Sequence, residues 1–289
     1  MIFKELAIIG ATASGKTELA LKKAKETNSY ILSIDSLSVY KEIDIVSAKP
    51  TNSELAQTTH FGINEILPNQ KFNVTLFIDL YRKAKAEAIK NGKNLIIVGG
   101  TSFYLKTLLT GISDLPKISD KTVLTVSELL ENLPIAYNFL ESNDLEYSRK
   151  IKSNDKYRIE KALHILIETG ETPTIWFEKN PPQKIIENLQ ILNIQIERQT
   201  LIRKIEQRTE NMLKNGLIDE VQNLLSKYGE SLQPKKAIGI RETIQFLNNE
   251  INKNELSDLI SIHTRQLAKR QTTFNRTQFL DIEIKPDFT

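Results

Sequence analysis

The sequence of 289 residues contains no cysteine. This absence excludes disulfide scaffolds, thiolate metal sites and cysteine nucleophiles, and it fits a reducing compartment better than a secreted setting. With only 11 glycines, 9 prolines and 40% hydrophobic residues, the composition excludes fibrous and disordered proteins. No apolar run reaches the roughly 18 uncharged residues that a membrane span needs, and we expect no targeting segment. We therefore expect a folded cytoplasmic protein.

The chain also lacks a strong charge of either sign. Its 39 Lys and Arg are nearly balanced by 36 Asp and Glu, which leaves a net charge of +3. This balance permits a polyanionic partner without indicating one, so such a partner has to be inferred from local patches. His60, His164 and His263 show no metal-ligand spacing, and without cysteine a structural zinc site is not expected.

Short apolar runs alternate with amphipathic segments over the first hundred residues. The runs at 5–9, 30–34 and 94–98 predict buried strands, and the segments at 16–25 and 73–92 predict helices between them. This alternation is typical of βαβ units on a parallel sheet. We therefore predict the α/β fold class.

Beyond Gly111 the pattern changes to short helical pieces without a convincing strand. We predict three parts: a first part of the α/β core at 1–113, a mainly helical insertion at 114–188, and a return to the core with a helical C-terminal region at 189–289. Within the insertion, Asn154 or Asp155 is expected to cap a helix that ends at Gly170. The last part should contain strands at 189–196 and 279–284 and helices at 200–215, 217–227, 240–249 and 255–276.

A phosphate-binding pattern, G-x-x-x-x-G-K-[ST], lies between the first predicted strand and the first predicted helix. It consists of Gly10, Ala11, Thr12, Ala13, Ser14, Gly15, Lys16 and Thr17. Such a loop turns several backbone N–H groups and a helix N-terminus towards one anion, while Lys16 adds a charge and the Thr17 hydroxyl can ligate Mg²⁺. The pattern predicts a P-loop core that binds a diphosphate. The alternative is a turn that only links strand to helix.

The acidic residue expected in a P-loop hydrolase is missing from its usual place. The strand at 95–98 ends in Gly99-Gly100-Thr101, with no carboxylate, and the acid instead follows the strand at 30–34, as Asp35. At that strand end, Asp35 could act as a base or as a ligand in a metal shell. It could equally be a turn residue that binds its own backbone.

Several separated motifs, taken in order, closely resemble those of the tRNA dimethylallyltransferase family, also called tRNA isopentenyltransferases. Besides the two motifs above, they are Asp44 to Thr51, Gly99 to Tyr104, Ile205 to Arg208, Ala237 to Gly239, and Thr264 to Gln271. The resemblance covers nearly the whole chain. Leu37-Ser38, Lys161 and Ile240 stand where the family often has other residues.

The resemblance implies a P-loop fold and the transfer of a dimethylallyl group from dimethylallyl diphosphate. The acceptor would be N6 of the adenosine at tRNA position 37, next to the anticodon, and diphosphate would be released. The partners implied are the anticodon stem-loop of tRNA and the diphosphate donor, and the cofactor implied is Mg²⁺ held by Thr17. We expect a monomer.

The residues and the resemblance together suggest the following roles. Asp35 would be the base, Lys16 would stabilise the leaving diphosphate, Thr101 would hydrogen-bond Asp35 or the substrate, and Arg208 would contact the diphosphate. The predicted tRNA-binding residues, which include two of these, are Asp35, Ser36, Leu37, Ser38, Thr101, Arg158, Lys161, Arg241, Arg265, Lys269 and Arg270. The alternatives are a helix cap for Thr101 and solvated helix faces for Arg208 and the other basic residues.

Three other functions share some of these features. A P-loop small-molecule kinase or ATPase would use the same loop but would need an acid after the strand at 95–98. A nucleic-acid-binding protein could use the loop as a nucleotide switch. An isopentenyltransferase that acts on free adenine nucleotides would share the loop and Asp35, but not the helical insertion and the basic C-terminal helix.

Overall fold

The computed structural model describes residues 3–279 and contains one parallel sheet of five strands. The strand order is β3-β2-β4-β1-β5. The strands are β1 Glu5–Gly10, β2 Ser29–Ser33, β3 His60–Phe61, β4 Asn94–Gly99 and β5 Gln190–Ile194. The predicted parallel α/β fold is confirmed.

Helices connect the strands and form the insertion between β4 and β5. In chain order they are α1 Lys16–Glu26, α2 Asn52–Leu55, α3 Val74–Lys90, α4 Ser102–Thr110, α5 Asp120–Leu129, α6 Leu133–Asn143, α7 Leu145–Ser148, α8 Lys156–Thr169, α9 Pro173–Lys179, α10 Arg198–Lys214, α11 Leu217–Tyr228, α12 Ile240–Leu247 and α13 Lys253–Gln278. Two short 3₁₀ turns, Gly229–Ser231 and Gln233–Lys236, precede α12. None of the helices between residues 3 and 279 is long and apolar enough to cross a membrane.

The chain divides into two compact units. One contains the chain up to Leu108 and from Ile186 onwards, and it holds the whole described sheet. The other is Leu109–Ile185, whose helices α5, α6 and α8 pack around their own buried residues, among them Leu140 and Leu163. The three-part division at 1–113, 114–188 and 189–289 stays a prediction.

Continuous apolar sequence produces the central strands. Ile8 of β1 is fully buried and stands in register with Val98 of β4 on one side and Leu192 of β5 on the other. A strand covered on both faces needs apolar residues at every position, which is the pattern of β1 and β4. Because all strands are parallel, the loops that follow β1, β2 and β4 meet at one edge of the sheet.

Capping residues set the ends of the predicted helices. Asn73 caps α3 by accepting a hydrogen bond from the Leu76 amide at 3.0 Å. Of the two cap candidates for α8, Asp155 is the one that caps, and Gly170 ends that helix in a left-handed conformation. Helix α13 runs to Gln278, beyond the predicted end at 276.

Two strands are not matched between the sequence prediction and the described structure. The predicted strand at 279–284 begins at Phe279, the residue that follows α13, and the rest of it lies outside the described residues. Strand β3 was not predicted, because its two residues, His60 and Phe61, are too few to show an alternating pattern.

Candidate active site

The loop between β1 and α1 has the backbone of a phosphate cradle. Gly15 caps α1 at φ 88°, and Ala13 also has a positive φ of 62°. At Gly10 (φ 152°), a Cβ would lie 2.9 Å from the carbonyl oxygen of Ile194, so a larger residue would collide with β5. Below, residues 10–17 are called the diphosphate loop, after the ligand that the sequence predicts for them. Its shape and the α1 N-terminus together favour an anion.

Lys16 lies folded back along this loop. Its half-buried ammonium group donates a hydrogen bond to the carbonyl oxygen of Ala11 at 2.5 Å. Burial and, to a smaller extent, the nearby Arg208 charge lower the pKa of Lys16 to about 8, against the opposing effect of the Asp35 carboxylate. A bound anion would raise the pKa of Lys16 again, because a negative charge beside the ammonium group stabilises its protonated form.

Asp35 uses one carboxylate oxygen for the turn that follows β2. Its Oδ1 accepts hydrogen bonds from the amides of Leu37 at 2.8 Å and Ser38 at 3.2 Å, and its own amide donates to Ser33 Oγ at 3.2 Å. The turn role considered as an alternative is therefore present. Among residues 3–279, no hydrogen bond reaches Oδ2. One oxygen orients the carboxylate, and the other is left for a substrate or an ion.

Arg208 approaches this site from helix α10. Its side chain is half-buried and donates to the carbonyl oxygen of Ser47 at 3.4 Å. Burial lowers its pKa, whereas the Asp35 charge acts in the opposite direction. Arg208 thus faces the site and does not lie on a solvated helix face.

A cavity of about 370 Å³ joins these groups. It is lined by Lys16, Thr17, Asp35, Ser38 and Arg208, together with the rest of residues 12–15, Ser33, Ser47, Gly99, Gly100, Lys204 and Gln271 among others. A second cavity of about 730 Å³ shares Ala13, Ala48, Lys204 and Arg208 with it. The structure therefore brings together the diphosphate loop, the acid and a second cation, as the sequence predicted.

Thr101 does not make the predicted hydrogen bond to Asp35. In the described chain its hydroxyl has no hydrogen-bond partner, and its carbonyl oxygen accepts from the Tyr104 amide at 2.9 Å where α4 begins. The residue is half-buried and is not among those that line the cavity. A catalytic role for Thr101 stays a prediction.

The cavity wall formed by residues 44–49 is held by contacts that the sequence analysis missed. Glu220 of α11 accepts hydrogen bonds from the amides of Asp44 and Ile45 at 2.8 Å each and from that of Val46 at 3.0 Å. Lys49, nearly buried, donates to the Tyr40 carbonyl at 2.6 Å and to the side chains of Asp44 and Asn64 at 2.7 Å. These bonds fix the segment that offers its Ser47 carbonyl to Arg208. No local signal connects Glu220 with residues 175 positions earlier.

The predicted tRNA-binding residues in the unit that holds the sheet differ in their exposure. Ser36 is exposed, Leu37 is half-buried and Ser38 is buried. Lys269 and Arg270 are exposed on α13, and Arg265 pairs with Glu206 at 3.6 Å. Of these three basic residues of α13, Lys269 and Arg270 are therefore more accessible to a phosphate than Arg265.

Arg241 has a structural partner that the sequence analysis did not anticipate. Glu242 is fully buried, and its Oε1 accepts from Arg241 Nη2 at 2.5 Å and contacts His263 Nδ1 at 2.6 Å. Burial alone would raise the pKa of Glu242, but the hydrogen bonds from Arg241, the Gly239 amide and His263 outweigh it and lower the pKa. A buried carboxylate needs such partners, so Arg241 has a structural role beside Glu242. Its side chain is also exposed, and its contact with tRNA stays a prediction.

In the helical unit, the two predicted basic residues lie on α8. Arg158 is exposed and pairs with Asp155 at 3.4 Å, and Lys161 lies 3.5 Å from Glu160 and over the ring of Tyr157. Arg158 is exposed and Lys161 is half-buried, and surface pairs of this kind contribute little to stability. Contact of either residue with tRNA stays a prediction.

Mg²⁺ has no all-protein cage in the described part of the chain. Residues 3–279 contain no group of three or more His, Asp or Glu side chains arranged to hold a metal. Thr17 is exposed in the first turn of α1 and lines the cavity, and Mg²⁺ in such sites is held by one or two protein oxygens and by the phosphates of the substrate. The residues present therefore fit a Mg²⁺ that arrives with a diphosphate.

Known proteins resemble this chain along almost its entire length. The family model for IPP transferase matches residues 38–278. A tRNA dimethylallyltransferase of Sulfurimonas denitrificans is 51% identical over 282 residues, which cover 98% of this chain and 95% of that protein. A tRNA isopentenylpyrophosphate transferase structure from Staphylococcus epidermidis is 29% identical with a TM-score of 0.69 and covers 98% of this chain and 92% of that one.

The fold also matches that of a eukaryotic dimethylallyltransferase acting on tRNA. The TM-score is 0.85 at 24% identity, and the match covers 97% of this chain and 73% of the eukaryotic chain. The fold, the family match and the relatives agree: this chain belongs to the IPP transferase family.

Proposed function

We propose that this protein transfers a dimethylallyl group from dimethylallyl diphosphate to N6 of the adenosine at tRNA position 37, with release of diphosphate. The observation that carries the proposal is the cavity in which the diphosphate loop faces Asp35, whose Oδ2 has no hydrogen-bond partner in the described chain. The relatives named as tRNA dimethylallyltransferases support the tRNA acceptor.

The leaving group would be stabilised by the diphosphate loop. Negative charge grows on the diphosphate as its bond to the allylic carbon breaks. The loop amides and the α1 N-terminus are already oriented towards that charge, and Lys16 and Arg208 line the same cavity. Preorganised donors of this kind stabilise the charge that develops on the leaving diphosphate in the transition state more than they stabilise the bound substrate, so they would accelerate the transfer.

Asp35 would accept the proton from the adenine amino group. An exocyclic amine becomes acidic only while it bonds to carbon, so a carboxylate can take its proton late in the reaction. The two amides on Oδ1 hold the carboxylate in one orientation and leave Oδ2 to face the acceptor. The base would thus be positioned by the turn that it forms.

Mg²⁺ would be held by the Thr17 hydroxyl and by oxygens of the donor. When bound, it would neutralise part of the diphosphate charge. Thr17 stands next to Lys16 at the start of α1, so both residues would act on the same diphosphate.

The acceptor adenine has to leave its stacked loop to reach Oδ2 of Asp35. Lys269 and Arg270 on α13, and Arg158 and Lys161 on α8, would contact tRNA phosphates. Ser36 to Ser38 follow the base directly and would contact the extruded nucleotide. Binding of the anticodon stem-loop, a monomeric state and a cytoplasmic location stay predictions.

Incubation of the protein with labelled dimethylallyl diphosphate and one acceptor at a time separates this function from its rivals. Label on unmodified tRNA, with no label on AMP, is the expected result. Label on AMP alone would indicate the nucleotide-specific isopentenyltransferase. Release of phosphate from ATP without any label transfer would indicate a kinase or ATPase, which the absence of a carboxylate in Gly99-Gly100-Thr101 disfavours.

A further inference from the structure

Helix α13 is packed directly on the diphosphate loop. Ala268 of α13 is buried against Ala11 of the loop and Ile205 of α10. A second tie between α13 and α10 is the buried hydrogen bond of 3.1 Å between Ser261 and Thr209. Three residues after Ala268, and so on the same helix face, stands Gln271.

The Gln271 amide connects two loops of the site. Its Oε1 accepts from the Thr12 amide at 2.8 Å, and its Nε2 donates to the Gly100 carbonyl oxygen at 3.0 Å. A primary amide is the side-chain group that can accept at one atom and donate at the other in this way. The fit leaves no spare room, because a Cβ added to Gly100 would collide with Nε2.

The second of these loops lies against the acid. A Cβ on Gly99 would lie 3.1 Å from the Asp35 amide nitrogen and 3.0 Å from the Ile34 carbonyl carbon, so the end of β4 is packed on the backbone that carries Asp35. Gln271 thus connects the diphosphate loop, which follows β1, to the end of β4, which packs on the backbone of Asp35 after β2. Strand β4 stands between those two strands in the sheet.

We infer that Gln271 is a positioning residue that fixes the separation between the diphosphate loop and Asp35, an inference that rests on the proposed function. Transfer requires the leaving diphosphate on one side of the allylic carbon and the attacking amine, with its proton acceptor, on the other side. Small errors in such an alignment slow a reaction far more than they weaken binding. In the described chain Gln271 makes hydrogen bonds to Thr12 and Gly100 and none to Lys16 or Asp35, so it would act through these two loops.

Two variants remove the bridge from opposite sides. Gln271→Ala deletes the amide, and Gly100→Ala displaces it without changing α13. Gly100 has no positive φ, so its backbone accepts alanine. In both variants we expect single-turnover transfer to tRNA to fall about 10- to 100-fold, while the dissociation constant of inorganic pyrophosphate changes less than about threefold. Transfer by the double variant should be within about twofold of transfer by the slower single variant, because both changes remove the same bridge.

Hydrogen exchange of the diphosphate loop gives a readout that does not depend on activity. We expect the peptide over residues 10–17 to exchange about tenfold faster in both variants, because the Thr12 amide loses its acceptor. Gln278→Ala, an exposed change at the end of the same helix, should alter neither exchange nor rate.

The inference would be overturned if Gln271→Ala showed the wild-type hydrogen exchange and the wild-type transfer rate. It would also be overturned if the rate reductions of the two single variants multiplied in the double variant. If Gln271→Ala does not fold, Gly100→Ala alone decides between these results. If the unaltered protein transfers no prenyl group, the proposed function fails, and the exchange data still decide whether Gln271 positions the loop.

Discussion

At the scale of single residues, Asp35 combines two roles that the sequence could only state as alternatives. One oxygen forms a turn with the Leu37 and Ser38 amides, and the other faces the cavity without a hydrogen bond in the described chain. A turn-forming aspartate is common, but its place beside Lys16 makes the second oxygen chemically useful.

Asp35→Asn separates the two roles. Asparagine keeps Oδ1 for the turn but replaces the proton acceptor with an NH₂ group, so the loop should hold its shape while proton transfer fails. We expect single-turnover transfer to tRNA to fall by about 10²- to 10⁴-fold with an unchanged dissociation constant for the donor. Transfer at the wild-type rate would exclude Asp35 as the base. Loss of Mg²⁺-dependent donor binding, with normal chemistry, would place it in the metal shell.

Lys16 should make donor binding dependent on pH. Its pKa of about 8 is lowered by burial, and a bound diphosphate would raise it, so binding is strongest when Lys16 is already protonated. Affinity should therefore hold below about pH 7 and fall about tenfold by pH 9. Lys16→Ala, which should itself lower kcat/KM for the donor by more than about tenfold, provides the control. A similar decline above pH 8 in that variant would mean that another group titrates.

At the scale of elements, short contiguous motifs are the features of the site that could be predicted from the sequence. The diphosphate loop and Asp35 each follow an apolar strand, and parallel strands bring their carboxyl ends to one edge. Contacts between distant segments leave no such pattern. The bonds from Glu220 to the Asp44 and Ile45 amides, and from Gln271 to Thr12, span much of the chain, and only the folded structure shows them.

The Glu220 contacts should make α11 a support for the cavity wall. In the wild type, the backbone N–H groups of residues 44–46 donate to the Glu220 carboxylate. Glu220→Gln replaces one carboxylate oxygen with an NH₂ group, which cannot accept, so some of these N–H groups lose their hydrogen bonds. We expect the free energy of unfolding to fall by about 1–3 kcal/mol in urea titrations. Glu230→Gln, which changes an exposed pair with Lys235, serves as the matched control and should not change the midpoint. Equal midpoints for both variants would contradict a supporting role for Glu220.

The exposed face of α13 should bind tRNA through charge. Reversal of Lys269 and Arg270 to Glu should weaken tRNA binding, with a reduced dependence on salt, and should leave donor binding unchanged, because phosphate contacts release counterions. Reversal of Lys83 and Lys90 on α3 changes the net charge by the same amount and is the control. If both pairs of changes weaken binding equally, the effect comes from net charge and the tRNA does not contact α13.

At the scale of the whole molecule, the basic residues assigned from sequence do not form one class. Arg241, Lys269 and Arg270 are all exposed, but only Arg241 of these three pairs with a buried carboxylate, that of Glu242. Charge and helical spacing are the same for both kinds, and burial of the neighbouring Glu242 becomes visible only when α12 and α13 are packed. The α/β fold could be predicted because it depends on strand and helix patterns, but the duties of individual cations depend on their neighbours in space.

The central claim is that this chain joins a dimethylallyl group to one particular nitrogen of tRNA. The most direct measurement is mass spectrometry of nuclease fragments from an unmodified tRNA with adenosine at position 37, after reaction with dimethylallyl diphosphate and Mg²⁺. We expect one added dimethylallyl group, on the N6 of that adenosine, and none when the same tRNA carries guanosine there. A modified tRNA with guanosine at position 37, or a dimethylallyl group at any other nucleotide, would contradict the account.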